Sequence, residues 1–162
     1  MPLRKIVSGG QTGVDRAALD AALSQGLAIG GWCPAGRRAE DGSIPDRYPL
    51  SETRSRDYAV RTRRNVRDAD GTLVLNAGAL DGGTLVTVAY AGQRRKPHLV
   101  VQLDEPCHAR PEQVAAWLQA NGIRILNVAG PRESKRPGIY RQCSEFLKLL
   151  LSDEIPARCS RG

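Results

Sequence analysis

Short apolar runs alternate with helical patterns of apolar residues along the whole of this chain. The strand-like runs are aliphatic, and they fall at residues 3–8, 27–32, 72–76, 98–102 and 123–129. Between them, apolar residues recur every three or four positions, as on a helix packed against a sheet. The predicted helices cover residues 14–25, 58–68, 82–91, a segment from Pro111 to a stop at Gly122, and 138–151.

Strands that alternate with helices predict an α/β fold with a parallel sheet covered on both faces. We expect a three-layer, Rossmann-like sandwich around a mostly parallel sheet of five strands or slightly more. The expected strand order is 2-1-3-4-5, which would make the first and third strands neighbours where the order reverses. Residues 1–151 would form one ligand-binding domain, and residues 152–162 a flexible C-terminal tail. Residues 33–57 show no period, and a long structureless segment in a compact domain usually carries function.

The composition favours a sheet that is buried on both faces, and the cysteine pattern favours a reducing compartment. Aromatic residues make up 4% of the 162 positions, so aliphatic side chains must build the core, as in parallel sheets. The cysteines are scattered without a C-x-x-C pair and are expected to be free thiols. They are Cys33, Cys107, Cys143 and Cys159. No stretch is apolar for the roughly 18 residues that a membrane helix needs, and the N-terminus leads directly into a strand. We therefore expect a cytoplasmic protein with no membrane partner.

The charge balance is strongly basic, with a formal net charge of +7. Nucleic acid is one partner that such a balance fits. The basic residues are dispersed, however, and form no arm or stripe with interleaved aromatics. The favoured explanations are an effect on solubility or attraction of a small anionic ligand, and a nucleic-acid-binding module remains the weaker alternative.

Three loops rich in glycine or polar residues follow predicted strands, where open α/β sheets bind ligands. Glycine allows the backbone to approach a ligand closely, and a helix N-terminus attracts an anion. No Walker A or G-x-G-x-x-G motif is present, so each loop alone is a weak signal. The predicted ligand- or phosphate-binding positions in these loops are Gly9, Gly10, Gln11, Thr12, Gly13, Asn76, Gly82, Gly83, Thr84, Gly130 and Arg132.

Asp15 and Arg16 occupy the first turn of the helix after the first loop. Asp15, three residues after Thr12, resembles the acid of a capping box, and an acid is favourable at that end of a helix. In a ligand site the acid could instead bind a ribose hydroxyl or a metal, while Arg16 binds phosphate. Both interpretations stay open at this point.

The segment after the second strand adds further candidates. Trp32 could stack on a base or pterin ring, or belong to the core; Arg37 could bind phosphate, and Asp41 could act as acid or base. Asp15 and Asp41 are the candidate catalytic residues, and no metal site is predicted, because no ligand spacing or catalytic motif built on histidine appears. Polar residues of the helix over 58–68, Arg61 and Asn65 among them, are expected to form a solvated face.

Several segments together resemble one known family. They are residues 8–20, 31–34, 39–42, 61–62, 65–66, 70–72, 82–84 and 126–134. The chain resembles the molybdenum (cofactor) carrier proteins over residues 5–150, nearly its whole length. The resemblance implies a Rossmann-like fold in the superfamily of the LOG nucleotide phosphoribohydrolases and the DNA-uptake protein DprA. It further implies a nucleotide or molybdenum cofactor as ligand, and a homo-oligomer.

One departure from the LOG pattern bears on activity. Those hydrolases carry P-G-G-x-G-T-x-x-E, whose Glu supports cleavage of the N-glycosidic bond. Here the proline is absent, the motif is shortened to Asp81-Gly82-Gly83-Thr84, and Thr87 stands where the acid would fall. Binding without hydrolysis is the simpler expectation. A nucleotide-processing hydrolase that cleaves the N-glycosidic or a phosphate bond, with Asp15 or Asp41 as the acid, is the alternative.

Overall fold

The computed structural model describes residues 3–104 and 110–152. The strands are β1 Lys5–Val7, β2 Ala28–Gly30, β3 Trp32–Cys33, β4 Arg38–Ala39, β5 Gly42–Ser43, β6 Ser51–Glu52, β7 Gly71–Asn76, β8 His98–Gln102 and β9 Ile125–Ala129. The helices are α1 Val14–Ser24, α2 Tyr58–Asp68, α3 Gly82–Gln93, α4 Pro111–Ala120 and α5 Ile139–Leu150, with a 3-10 turn at Ala35–Arg37. Cys107, Cys159 and the predicted tail beyond Ser152 lie outside the described residues.

The main sheet has five strands, and every pairing within it is parallel. Helices α1, α4 and α5 pack together, and α2 packs against α3. Along β7, Leu73 and Leu75 join the apolar cluster that includes α1 and α5, while the intervening Val74 is fully buried outside that cluster. Both faces of the sheet are therefore covered, which confirms the predicted α/β fold class. Among the described residues, no helix is both long and apolar enough to cross a membrane.

The predicted strand order is wrong. The observed order is β2-β1-β9-β7-β8, so the last strand, β9, lies between β1 and β7, and β7 is the third of the five predicted strands. Local hydrophobic pattern predicts where strands form, but neighbours are set by how distant segments pack. If β9 is counted as the first strand, the order becomes 3-2-1-4-5, which is the doubly wound arrangement. The order therefore reverses between β9 and β7, not between β1 and β7.

The second predicted strand is two strands in different sheets. Strand β2 ends at Gly30, and Gly31 has a φ of 123°. A Cβ at Gly31 would collide with the carbonyl oxygen of Ser8, so the chain turns here with glycine. Strand β3 then leaves the main sheet and pairs with β6 in a small parallel sheet.

Residues 33–57 are folded around a small apolar core of their own. This second cluster contains Leu19, Cys33, Ala39, Ile44, Tyr48 and Leu50. Across it lies the guanidinium of Arg37, which donates hydrogen bonds to the carbonyl oxygens of Ile44, Pro45, Tyr48 and Leu50 at 2.7–3.4 Å. The expectation of a structureless loop is therefore wrong, because scattered apolar side chains with no period can still converge in three dimensions.

Candidate functional site

A cleft of about 350 Å³ lies where the strand order reverses. Its walls come from the loop after β1, from α2, from the first turns of α3, and from the end of β9 with the loop that follows it. Its volume falls at the lower end of the range for small-molecule sites. The predicted residues that line it are Gly9, Gln11, Asp15, Gly82, Gly83, Thr84, Gly130 and Arg132.

The first turn of α3 opens into this cleft. The side chain of Asp81, the residue before the helix, makes no capping hydrogen bond. Among the described residues, the backbone N–H groups of Gly82, Gly83 and Thr84 have no hydrogen-bond partner. The ammonium of Lys135 lies beside them, 2.7 Å from where a Cβ at Gly82 would stand. Unpartnered N–H groups, the helix dipole and an ammonium together suit an anion.

The first turn of α1 is not open in the same way. The N–H of Val14 donates to the carbonyl of Pro131 at 3.3 Å, and the N–H of Gln11 donates to Asp15 Oδ2 at 3.1 Å. The N–H of Thr12 is bound by the side chain of Gln11. A Cβ at Gly13 would lie 2.5 Å from the Pro131 oxygen, so this glycine permits close packing of two loops. The first loop thus brings the side chains of Gln11 and Asp15 to the cleft.

Asp15 and Arg61 form an ion pair in the wall of the cleft. Arg61 Nη1 lies 3.0 Å from Asp15 Oδ2, and the side chains are 13% and 5% exposed. Gly9 makes room for the pair, because a Cβ at Gly9 would overlap Arg61 Nη1. The Arg61 guanidinium also lies 5.5 Å from the centre of the Tyr58 ring. A charged pair this deeply buried is fixed in one geometry by its surroundings.

Helix α2 does not present Arg61 and Asn65 to solvent, so that expectation is wrong. Asn65 is 3% exposed, and its amide bonds the backbone N–H and carbonyl of Trp32 at 2.7 and 3.0 Å. The i, i+4 spacing of Arg61 and Asn65 is visible in the sequence. A polar helix face usually points to solvent, whereas here this face of α2 contacts β3 and lines the cleft. Sequence reasoning also missed Tyr58, Asn127 and Lys135 as lining residues.

Glu40 ties the segment after β3 to the loop after β9. Its carboxylate accepts hydrogen bonds from Thr12 Oγ1, from Ser134 Oγ and from the Ser134 N–H, and lies 3.4 Å from Arg132 Nε. Burial alone would raise the pKa of Glu40, but the hydrogen bonds from Ser134 and Thr12 and the charge of Arg132 lower it below its ordinary value. Thr12 itself lies outside the cleft lining. Through its hydrogen bond to Glu40 it is one of the groups that position Arg132, which does line the cleft.

Arg16 and Asp41 pair with each other away from the cleft. Both terminal nitrogens of Arg16 bind the Asp41 carboxylate, at 2.5 and 2.8 Å, and Arg16 Nε donates to the carbonyl of Gly10. The hydrogen bond from Arg16 lowers the pKa of Asp41. The structure therefore does not bring these two residues to the cleft. Arg37 is likewise outside it, bound to backbone carbonyls.

Trp32 and Asn76 also lie outside the lining. The Trp32 indole N–H donates to Asp68 at 2.8 Å, and the guanidinium of Arg64 covers the ring at 4.8 Å. Asn76 ends β7 with its side-chain nitrogen bound to the Gly78 carbonyl at 3.0 Å.

Cys33 is fully buried in the apolar core of residues 33–57, and burial raises the pKa of its thiol.

Within the described part of the chain, no group of three or more His, Cys, Asp or Glu side chains could hold a metal ion. The lining of the cleft holds one carboxylate, that of Asp15, against three cations. The charges of these lining residues therefore favour an anion.

Comparison with known proteins agrees with the fold. The model of the circularly permutated YpsA SLOG family matches residues 6–151. The crystal structure at 1.45 Å resolution of a "Putative molybdenum carrier protein" from Syntrophus aciditrophicus SB is 44% identical in sequence. It superposes with a TM-score of 0.87, over 93% of this chain and 96% of that chain. No curated protein matches.

The family resemblance found in the motifs is confirmed by both matches. The permutation is also visible in the sheet, since the doubly wound order appears when β9 is counted first. On sequence match, fold and strand order together, this chain belongs to the circularly permuted YpsA family of SLOG proteins.

Proposed function

We propose that this protein binds and carries a small, phosphate-bearing, nucleotide-like ligand, with molybdenum cofactor as the candidate cargo. The observation that carries the proposal is the open first turn of α3 beside Lys135 in the cleft. A phosphate there would accept hydrogen bonds from Gly82, Gly83 and Thr84 and would neutralise an ammonium. The name of the structural relative, a molybdenum carrier, supports this class of cargo.

The charges of the cleft favour an anion. Among the described residues, Arg61, Arg132 and Lys135 line it together with one carboxylate, that of Asp15. Asp15 is neutralised by Arg61 at 3.0 Å. Lys135 and Arg132 are paired with Asp81 and Glu40, whose carboxylates lie outside the lining, so the two cations face the cleft and their partners do not. A concave site with charge of one sign also raises the local concentration of an oppositely charged ligand.

The cargo would be held through its organic part. No cysteine or histidine is among the described residues that line the cleft. Hydrogen-bonding groups and cations line it instead, and these suit phosphate, hydroxyl and ring-edge groups. A molybdenum atom in the cargo would therefore keep its own ligands, and the chain would bind the phosphate.

Binding without hydrolysis is supported by the residue at the LOG acid position. Thr87 lines the cleft, and its hydroxyl donates to the carbonyl of Gly83 at 3.0 Å. This bond turns the hydroxyl hydrogen toward the helix backbone. A threonine supplies no carboxylate to stabilise positive charge on a sugar ring, which supports a carrier over a glycosidic hydrolase.

The test is binding of phosphate-bearing ligands to the wild type and to Gly83→Asp. A Cβ at Gly83 would meet nothing within 4 Å, so the variant is expected to fold, while its carboxylate enters the anion site. The matched control is Gly92→Asp, on the same helix outside the cleft lining and equally free of neighbours. The panel contains nucleoside monophosphates and triphosphates, ADP-ribose and molybdenum cofactor, and binding is measured by calorimetry and thermal shift.

A ligand at one hundred times its Kd adds about 2.7 kcal/mol to the free energy of unfolding. For a domain of this size, at about 2–4 °C per kcal/mol, the melting temperature would rise by about 5–11 °C. We expect one class of ligand to produce this shift in the wild type and Gly92→Asp but not in Gly83→Asp. Equal binding to all three proteins would refute the α3 site, and release of free base or phosphate on incubation would favour the hydrolase alternative.

A further inference from the structure

Two atoms of the Asp15–Arg61 pair remain available to a ligand. Asp15 Oδ2 accepts the bonds from Arg61 Nη1 and the Gln11 N–H, whereas Asp15 Oδ1 and Arg61 Nη2 have no hydrogen-bond partner among the described residues. In the described part of the chain, only Arg61 Nε and Asn76 Oδ1 are fully buried without a partner. Oδ1 and Nη2 therefore keep access to solvent, and both residues line the cleft.

The charges of the pair cancel, so the pair does not call for a charged ligand group. What it offers is one strong acceptor, Oδ1, beside one strong donor, Nη2. A neutral group that donates a hydrogen bond next to one that accepts would satisfy both atoms. A phosphate would not, because it would face the carboxylate.

We propose that the Asp15–Arg61 pair determines ligand specificity by binding a neutral donor–acceptor edge of the ligand whose phosphate lies at α3. The inference rests on the proposed function, because it needs the same ligand in the same cleft. Two parts of a nucleotide-like ligand have this chemistry. One is the pair of ribose hydroxyls, and the other is the adjacent N–H and C=O of an oxo-substituted purine or pterin ring.

The pair is rigid enough to discriminate. Asp15 is fixed by the Gln11 N–H, and Arg61 is confined between Gly9 and Tyr58. A site whose buried polar atoms cannot reorganise strongly rejects an analogue that leaves them without partners. Loss of one such hydrogen bond to a charged group corresponds to an affinity about tenfold weaker or more.

The experiment measures Kd for matched probes on the wild type. The ribose arm compares GMP with its 2′-deoxy and 3′-deoxy analogues, and the ring arm compares GMP and IMP with AMP. Inorganic phosphate is the probe for the α3 site alone. We expect the analogue in one arm to bind at least about tenfold more weakly, which also identifies the source of the edge.

The same comparison on Asp15→Asn tests the residue. We expect the discrimination to disappear while the affinity for inorganic phosphate is kept. Asp46→Asn, the same change at an exposed aspartate, should behave as the wild type. Since the wild-type comparison needs no variant, poor folding of Asp15→Asn cannot hide the result.

Equal affinity within both arms, with phosphate still binding, would overturn this inference and leave the proposed function intact. Discrimination that persists in a folded Asp15→Asn would also overturn it. Failure of every probe to bind, inorganic phosphate included, would overturn both the inference and the proposed function.

Discussion

The Cα of Gly9 lies against the guanidinium of Arg61, so closely that a Cβ would overlap Nη1. The sequence suggested that this glycine permits a phosphate to approach the backbone. In the structure it permits an arginine from α2 to reach the carboxylate of Asp15. The glycine of one loop and the arginine of a distant helix are therefore parts of one ion-pair site.

Replacement of Gly9 by alanine should displace Arg61 and break this pair. Overpacking of a dense site costs about 1–3 kcal/mol, and a buried charge that loses its partner costs more. We expect Gly9→Ala to lower the free energy of unfolding by about 2–4 kcal/mol. Urea denaturation at neutral pH measures this directly.

Gly83→Ala is the control for that substitution. Its Cβ would meet nothing within 4 Å, and it sits in the first turn of a helix. Alanine there should leave stability unchanged or raise it by up to about 1 kcal/mol. If the two variants were equally stable, the contact between Gly9 and Arg61 would have no energetic importance.

The sequence predicted well what local pattern determines. The stripe Val14, Ala17, Ala18, Ala21 and Ala22 is buried as expected, because helical periodicity marks the face that packs on the sheet. Gly82 and Gly83 open α3 where a helix was expected and line the cleft, while their part in ligand binding stays a prediction. The order of strands was not predictable in this way, because β9 is inserted between β1 and β7 by long-range pairing that leaves no local pattern.

The partners of individual side chains also could not be predicted from the local sequence pattern. Arg16 and Arg37 look like phosphate ligands by position, yet both bind partners within the protein. Whether an arginine is free for a ligand depends on which carboxylates and carbonyls surround it after folding. Lys135 carries no signal in the sequence, because no spacing rule links it to α3, beside which it lies in the structure. The homo-oligomer implied by the family resemblance stays a prediction.

Arg37 should matter for stability and not for binding. A lysine in its place has one nitrogen and cannot reach the carbonyl oxygens of Ile44, Pro45, Tyr48 and Leu50 together. We expect Arg37→Lys to lower the free energy of unfolding by about 2–3 kcal/mol and to leave ligand Kd within about twofold. Arg54→Lys, at an exposed position, should change stability by less than about 0.5 kcal/mol. If Arg37→Lys raised the Kd, and raised it more for ligands with more phosphate groups, Arg37 would instead be a ligand-binding residue.

Because of Glu40, the free energy of unfolding should fall as the pH is lowered. Its pKa in the folded protein is lowered below the ordinary value of 4.5, since its hydrogen bonds and Arg132 outweigh the effect of burial. A carboxylate with a depressed pKa contributes stability above its unfolded pKa, and this contribution is lost as pH falls through the folded pKa. Urea denaturation between about pH 6 and about pH 3 should show a smaller loss for Glu40→Gln than for the wild type.

Other carboxylates, Asp41 among them, also have lowered pKa values and contribute to acid sensitivity. The relevant quantity is therefore the difference between the wild type and Glu40→Gln at each pH. That difference should be largest near neutral pH and should shrink below pH 4.5. A constant difference across the whole range would show that Glu40 acts through packing and not through its charge.

Lys135 and Asp81 should affect anion binding in opposite directions. Lys135 Nζ lies 2.7 Å from Asp81 Oδ1, and this hydrogen bond keeps the pKa of Asp81 below its ordinary value, so the carboxylate is charged at neutral pH. A phosphate at the first turn of α3 would be attracted by the ammonium and repelled by the carboxylate. Lys135→Gln should therefore weaken phosphate binding about two- to tenfold, and Asp81→Asn should strengthen it by a similar factor.

Both effects should shrink as ionic strength rises, because salt screens exposed charges. Calorimetric titration with inorganic phosphate at low and high salt measures the sign and the screening together. If both variants weakened binding, Asp81 would act by orienting Lys135, and the ion pair would have to be treated as part of the binding site.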